Sequence, residues 1–239
     1  MHDATGALSI VFNGEIYNFA ELRAQLVSIG HTFCSHSDTE VVLAAYRHWG
    51  ADCLSHLNGM FAFALFDALQ QTLFLARDRA GEKPLFYHHA GGTLRFASEL
   101  KGLLADTALA RRIDPTALDC YLTIGYVPGS NCILQGFNKL PPAHAMQFDL
   151  QSGQAKIWRY WQLPELNSSA SGGDVDEAAL LDELEKLLDV SVRRQMVADV
   201  PLGLLLSGGV DSSLITAMAV RASSQLQTFT VGFPGHGKL

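Results

Sequence analysis

The sequence predicts an α+β domain followed by the opening of an α/β doubly wound parallel sheet, and three observations predict it. Residues 1–163 carry short apolar runs beside two amphipathic helical stretches, the mixture expected when helices flank a largely antiparallel sheet. Residues 164–176, PELNSSASGGDVD, lose all apolar period and read as a linker. Residues 177–239 read as helix, strand, glycine turn, helix and strand, the start of a parallel sheet.

The elements follow in chain order. LSIVF at residues 8–12 is strand-like and runs straight into Asn13-Gly14-Glu15. Apolar residues at three- and four-residue spacing then mark helices around Ala20 to Leu26 and Val41 to Tyr46. MFAFALFD (60–67), TLFLARDR (72–79), PLFYHHA (84–90) and TLRFASE (93–99) are antiparallel strand candidates, with Gly91-Gly92 as a hairpin turn. Asp114-Pro115 signals a helix start, Asp as cap and Pro in the first turn. AHAMQFDL (143–150) and AKIWRYWQL (155–163) complete the strand-like runs of this domain. Beyond the linker, Leu180, Leu181, Leu184, Leu187, Leu188 and Val192 form one helical face, capped by Asp174 or Asp176. VPLGLLL, SGGVDSS, LITAMAVRA and QTFTVGF then give strand, turn, helix and strand.

Composition excludes several functions. With 48% hydrophobic and 17% charged residues, a formal net charge of −7 and no basic run, the chain has no electrostatic grip for nucleic acid or anionic membrane. No apolar stretch approaches the roughly 20 residues of a membrane span, and the N-terminus lacks a basic-then-apolar leader, so a cytoplasmic location is expected. Cys34, Cys53, Cys120 and Cys132 lack CxxC spacing and read as free thiols. GHTFCSH (30–36) brings His31, Cys34 and His36 together in sequence. It reads as a short strand rather than a metal site, since no second cluster completes a ligand set.

Chemistry concentrates at two places. In LLLSGGVDSS (204–213) a buried strand meets a helix N-terminus through Gly208 and Gly209, whose missing Cβ atoms let backbone N–H groups approach a phosphate. Ser207, Ser212 and Ser213 add hydroxyls. Asp211 would repel an anion unless a cation bridges them, and Mg²⁺ resolves that conflict. A Gly turn with an Asp helix cap is the plainer alternative. At the other place, Asn13, Gly14 and Glu15 read, standing alone, as a turn with a solvated acid.

The loop resembles the pyrophosphate loop of the ATP pyrophosphatase superfamily. The resemblance implies that Ser207, Gly208, Gly209, Ser212 and Ser213 hold the pyrophosphate portion of ATP and that Asp211 holds Mg²⁺, with the backbone at Leu205 and Val231 against the adenosine. VFNGEIYN (11–18), SDTEVVLAAY (37–46), LNGMFAFALFD (57–67), RDRAGEKPLFY (77–87), FASELKGLL (96–104) and KLPPAHAM (139–146) resemble, in order, the class II N-terminal-nucleophile (Ntn) glutaminase domain of glutamine-hydrolysing asparagine synthetases. On that resemblance residues 1–163 are a glutamine amidotransferase domain lacking its N-terminal segment and 177–239 the beginning of the synthetase domain. Asn13 and Gly14 then form the oxyanion hole, while Glu15 and Asp38 join them in the glutamine pocket. Arg77, Asp78, Arg79 and Lys83 read as structural ion pairs or surface charges. Ala143, where the family usually has Gly, is a minor departure.

The resembling family attacks glutamine with an N-terminal cysteine, whereas this chain opens Met1-His2-Asp3. The expectation is therefore a piece of a longer enzyme, inactive alone as glutaminase or synthetase, with ATP and Mg²⁺ as cofactors and glutamine and aspartate or a related carboxylate as substrates. A homodimer is a family expectation. The alternatives are a β-lactam-synthetase-like enzyme, an amidotransferase acting on a sugar or surface polymer, and a non-catalytic glutamine-binding module.

Overall fold

The computed structural model describes residues 1–165, 176–223 and 225–232, which fall into two compact units, Met1–Pro164 and Glu165–Leu239. Most of the expected linker (166–175), with the alternative cap Asp174, and Phe233 of the last expected strand lie outside the described residues.

In the first unit the order is β1 (Leu8–Ile16), α1 (Phe19–Ser28), α2 (Asp38–Trp49), the short α3 (Cys53–His56), β2 (Gly59–Asp67), β3 (Thr72–Arg77), β4 (Phe86–Ala90) and β5 (Thr93–Ala97). Then come α4 (Leu100–Leu103), α5 (Pro115–Ile124), β6 (Phe137–Lys139), β7 (His144–Asp149) and β8 (Ala155–Arg159). Two antiparallel sheets result, β1-β2-β3-β7-β8 and β5-β4-β6.

Strand alternation explains how they stack. In β2 the large residues Phe61, Phe63 and Leu65 share a face with Ile10, Ile16 and Phe74, and that face packs on Leu22 and Leu26 of α1 and Val42 and Tyr46 of α2. The opposite face carries Ala62 and Ala64, whose small side chains let the second sheet close in with Leu85, Tyr87 and Phe96. Leu103 of α4, with Cys132 and Phe137, covers the far side of that sheet. The layers run helix, sheet, sheet, helix, as the α+β expectation requires.

Local signals place the ends of elements. Asp114 accepts from the Ala117 N–H and Pro115 opens α5, which Gly125 closes at φ +80°. Gly91 and Gly92 both take positive φ, the pair of conformations that a two-residue hairpin turn between β4 and β5 demands.

Two expectations need correction. GHTFCSH is not a strand: the Cys34 and Ser35 N–H groups, which a ladder would need, donate to Glu40 of α2 at 2.8 and 2.7 Å. Nor do Arg77 and Asp78 serve as an ion pair or surface charges. Asp78 is fully buried and its carboxylate accepts the N–H groups of Phe61, Glu82 and Lys83 at 3.0–3.2 Å. Arg77 donates to the carbonyls of Gly81, Lys83 and Leu140 at 2.7–2.8 Å. Together they satisfy backbone groups of the irregular 78–85 connection, which has no ladder to satisfy them, and tie it to Phe61 of β2 and to Leu140.

The second unit contains α6 (Glu177–Gln195), β9 (Gly203–Leu205), α7 (Val210–Ala222) and β10 (Gln227–Phe229). Asp176 caps α6 by accepting from the Ala179 N–H. β9 and β10 pair in parallel, Leu205 opposite Phe229, with α7 as the crossover between them. This is the start of a parallel α/β sheet.

Candidate functional site

Asn13, Gly14 and Glu15 do not form a turn; they lie inside β1, in register with Ala62, Phe61 and Met60 of β2. Gly14 is required by that pairing, because a Cβ there would sit 2.2 Å from the Met60 carbonyl oxygen. The obstacle is thus the neighbouring strand rather than an approaching ligand. β1 is also the edge of its sheet. The Ile10 N–H donates away from β2, to the Met1 carbonyl, and the Ile16 N–H donates to Asp38 Oδ2 at 3.0 Å. Gly14 shares their parity along the strand, so its N–H faces the same outer side.

Asp38 arrives from the first turn of α2, whose cap Ser37 accepts from the Thr39 N–H. The Ile16 contact sets its carboxylate two residues along β1 from Gly14. Asn13 and Glu15 share the other face of β1 by alternation, and Glu15 is exposed. The Asn13 amide donates to the Ser98 hydroxyl at 3.2 Å, and both residues line a cavity of about 250 Å³ floored by Val11, Ala62, Ala64, Leu85 and Phe96. Close by, Tyr17 has its phenol held above the ordinary value by burial and then by the charges of Glu82, Asp78 and Glu15. The same negative field favours an ammonium group.

This corner can do two things chemically. A carboxamide N–H from Asn13 and a main-chain N–H from Gly14 can stabilise a developing oxyanion, and the Asp38 and Glu15 carboxylates can receive a cationic group. No cysteine lines the cavity. Cys53 and Cys132 are buried, and burial, with Asp52 beside it, pushes the Cys53 thiol up to about 12, which leaves it protonated and inert.

In the second unit, Leu205, residues 207–213 and Val231 gather at the carboxyl ends of the two parallel strands, where open α/β sheets bind ligands. Gly208 takes φ +84°, a conformation that costs glycine least, and Gly209 is the N-cap of α7 without a side-chain bond of its own. The Ser207 hydroxyl stands 3.1 Å from that of Ser212 and accepts from the Gly209 N–H at 3.4 Å. Asp211 and Ser213 are exposed in the first turn of the helix. Amide and hydroxyl donors beside one exposed carboxylate suit a polyphosphate with a divalent cation, so the residues fit Mg²⁺ at Asp211. Among the described residues no group of three or more His, Cys, Asp or Glu could hold a metal by itself. Among the described residues no helix is long and apolar enough to cross a membrane.

The structure therefore sets Asn13, Gly14 and Glu15 in sequence along β1, with Asp38 bound at Ile16 of the same strand, and separately gathers the loop residues. Ser98 and Tyr17 were missed by sequence reasoning. Ser98 stands in the FASELKGLL segment, but nothing local ties it to a residue 85 positions away.

Comparison with known proteins is consistent across the chain. Residues 1–161 match the model of the glutamine amidotransferase domain and residues 183–238 that of asparagine synthase. Glutamine-hydrolyzing asparagine synthetase 3 of Bacillus subtilis is 39% identical over 237 residues, which cover 96% of this chain and 37% of that protein. Glutamine-hydrolyzing asparagine synthetase 1 of the same organism is 38% identical over 95% of this chain and 35% of its own length. Amidase chyE of Penicillium rubens is 35% identical over 91% of this chain and 31% of its own length. The chain thus spans about a third of the length of these curated relatives. Among solved structures, glutamine phosphoribosylpyrophosphate amidotransferase from B. subtilis aligns over 95% of this chain and 46% of its own at 17% identity, with a TM-score of 0.45.

Proposed function

The chain belongs to the glutamine amidotransferase domain family over residues 1–161, and from that premise we propose that it serves glutamine-dependent asparagine synthesis. In this reading ammonia from glutamine amidates aspartate at the expense of ATP, with release of AMP and pyrophosphate. The observation that carries it is the succession of Asn13, Gly14 and Glu15 in edge strand β1, with the Asp38 carboxylate bound to the same strand at the Ile16 N–H.

Each group has a role set by its chemistry. Glutamine's side-chain carbonyl accepts hydrogen bonds from the Asn13 amide and the Gly14 N–H. When its carbon is attacked and becomes tetrahedral, charge builds on that oxygen, and the two donors stabilise it without reorganising. Asp38 and Glu15 receive the α-ammonium group. Asp38 keeps acceptor capacity after the Ile16 bond, since a carboxylate offers about four lone-pair sites. The cavity lining supplies stabilisation and recognition, not the attacking group.

In the second unit Ser207, Gly208, Gly209, Ser212 and Ser213 hold the pyrophosphate portion of ATP, and the backbone at Leu205 and Val231 lies against the adenosine. Asp211 holds Mg²⁺, which when bound neutralises phosphate charge. The aspartate side-chain carboxylate displaces pyrophosphate from the α-phosphorus, giving an acyl-adenylate. Ammonia then displaces AMP from the acyl carbon.

Calorimetric titration of the chain with glutamine tests the first half: binding that Asn13→Ala and Asp38→Asn each weaken at least about tenfold is expected. No binding by the wild-type chain overturns it. Pyrophosphate release that depends on aspartate, and not on other carboxylates, tests the acceptor. That choice matters because one relative is named an amidase rather than a synthetase.

A further inference from the structure

We propose that Ser98 is a positioning residue for the Asn13 carboxamide, an inference that rests on the glutamine reading of this corner. An asparagine side chain offers an oxygen at one end and two N–H donors at the other, and a half-turn about its last torsion exchanges them. Only one of those orientations presents a donor to a developing oxyanion. β1 fixes where Asn13 stands but leaves that torsion to its surroundings.

Ser98 supplies a partner for that torsion: its hydroxyl can accept or donate, so it anchors one end of the carboxamide, and in the structure that end is the nitrogen. Ser98 lies immediately after β5, in the second sheet, and its hydroxyl reaches across to accept one Asn13 N–H at 3.2 Å. A nitrogen with two hydrogens gives one to Ser98 and keeps one for the cavity that both residues line. The rest of that cavity is apolar, with Val11, Ala62, Ala64 and Phe96 offering the amide no competing side-chain partner. The second sheet is thereby joined to the chemistry of the first by a polar contact, made beside the hydrocarbon of Ala62, Ala64, Leu85 and Phe96.

The test uses the full 239-residue chain, with nuclear magnetic resonance of ¹⁵N-labelled asparagine side chains and glutamine as the titrant. The Asn13 signal is assigned by its disappearance in Asn13→Asp. In the wild-type chain a dispersed Asn13 amide that shifts further with glutamine is expected. Ser98→Ala should collapse that dispersion and weaken glutamine about five- to tenfold. Ser98→Thr, which keeps the hydroxyl, should restore both within about twofold. Unchanged backbone spectra of β1 and β2 show that the fold persists.

The outcomes separate the two ideas. If glutamine shifts Asn13 equally in wild type and Ser98→Ala, the positioning role is wrong and the glutamine site stands. If glutamine leaves wild-type Asn13 untouched, the glutamine reading fails and the positioning role falls with it, even where Ser98→Ala still collapses the amide dispersion. If Ser98→Thr behaves like Ser98→Ala, the hydroxyl is not the active feature and the proposal is overturned.

Discussion

The strand carrying Asn13 and Gly14 is held between a helical layer and a second sheet, with Ile10 and Ile16 almost fully buried on either side of the site. In the second unit, the strand leading to the 207–213 loop ends in Leu205 at 78% exposure, and among the described residues only Met218 and Ala219 are buried apolar side chains. One corner gathers residues 13, 38 and 98 from three parts of the chain; the other is a contiguous run with one strand beside it. The first therefore couples ligand chemistry to packing, whereas the second draws its donors from one turn and one helix end. Substitutions should separate the two.

The largest expected effect is at Asp78. Asp78→Ala leaves one buried and two part-buried N–H groups without their acceptor and should cost about 4 kcal/mol in urea unfolding followed by tryptophan fluorescence. A cost below about 1 kcal/mol would break the view that the first unit's irregular connections depend on buried polar contacts.

Gly14→Ala should follow, at about 3 kcal/mol, because the new Cβ meets the Met60 carbonyl and can be relieved only by parting β1 from β2. Glutamine binding should disappear with it. Stability lost with binding retained would show that the corner is less dependent on strand pairing than the comparison holds.

Acid sensitivity gives a smaller, signed effect. Burial opposes the charge on Glu40, but the Cys34 N–H, the Ser35 hydroxyl and N–H and the nearby Arg23 outweigh it and hold the carboxyl below its usual value. A depressed folded value means that the stabilisation is present above the unfolded value of about 4.3 and is lost as pH falls through the folded one. Thermal unfolding of Glu40→Gln should lose that part of the acid dependence while the rest of the profile keeps its shape. An unchanged acid limb would remove Glu40 as the organiser of residues 30–37.

Smallest in stability is Asp211→Asn, an exposed carboxylate expected to change unfolding by under about 0.5 kcal/mol. Its readout is instead magnesium-dependent ATP binding, which should fall by at least about tenfold. A large stability loss here would mean that the loop is coupled to packing after all, and the contrast between the two units would fail.

Legibility in the sequence divides along the same line. Alternation and turn chemistry made the strands readable: the Phe and Ala positions of β2 follow a period of two, and Gly91-Gly92 and Asp114-Pro115 act through their own backbone preferences. Residues 30–36 were misread as a strand because their N–H groups bind a carboxylate from α2, and local pattern cannot see that partner. Arg77 and Asp78 looked like ordinary surface charges for the same reason, since their acceptors and donors are backbone groups that only the folded connection brings near.

By itself the sequence determined the two kinds of fold and the composition of the 207–213 loop, because periodicity, glycine placement and helix caps act over a few residues. Tertiary structure alone decided that Asn-Gly-Glu lies in an edge strand rather than a turn and that Gly14 answers to the Met60 carbonyl. It also decided that Asp38 closes on the Ile16 N–H and that Ser98 holds the Asn13 amide. Those contacts join residues 22 to 85 positions apart. They exist only once two sheets and a helix have buried their apolar faces against one another, which is a property of the packed whole and not of any segment of it.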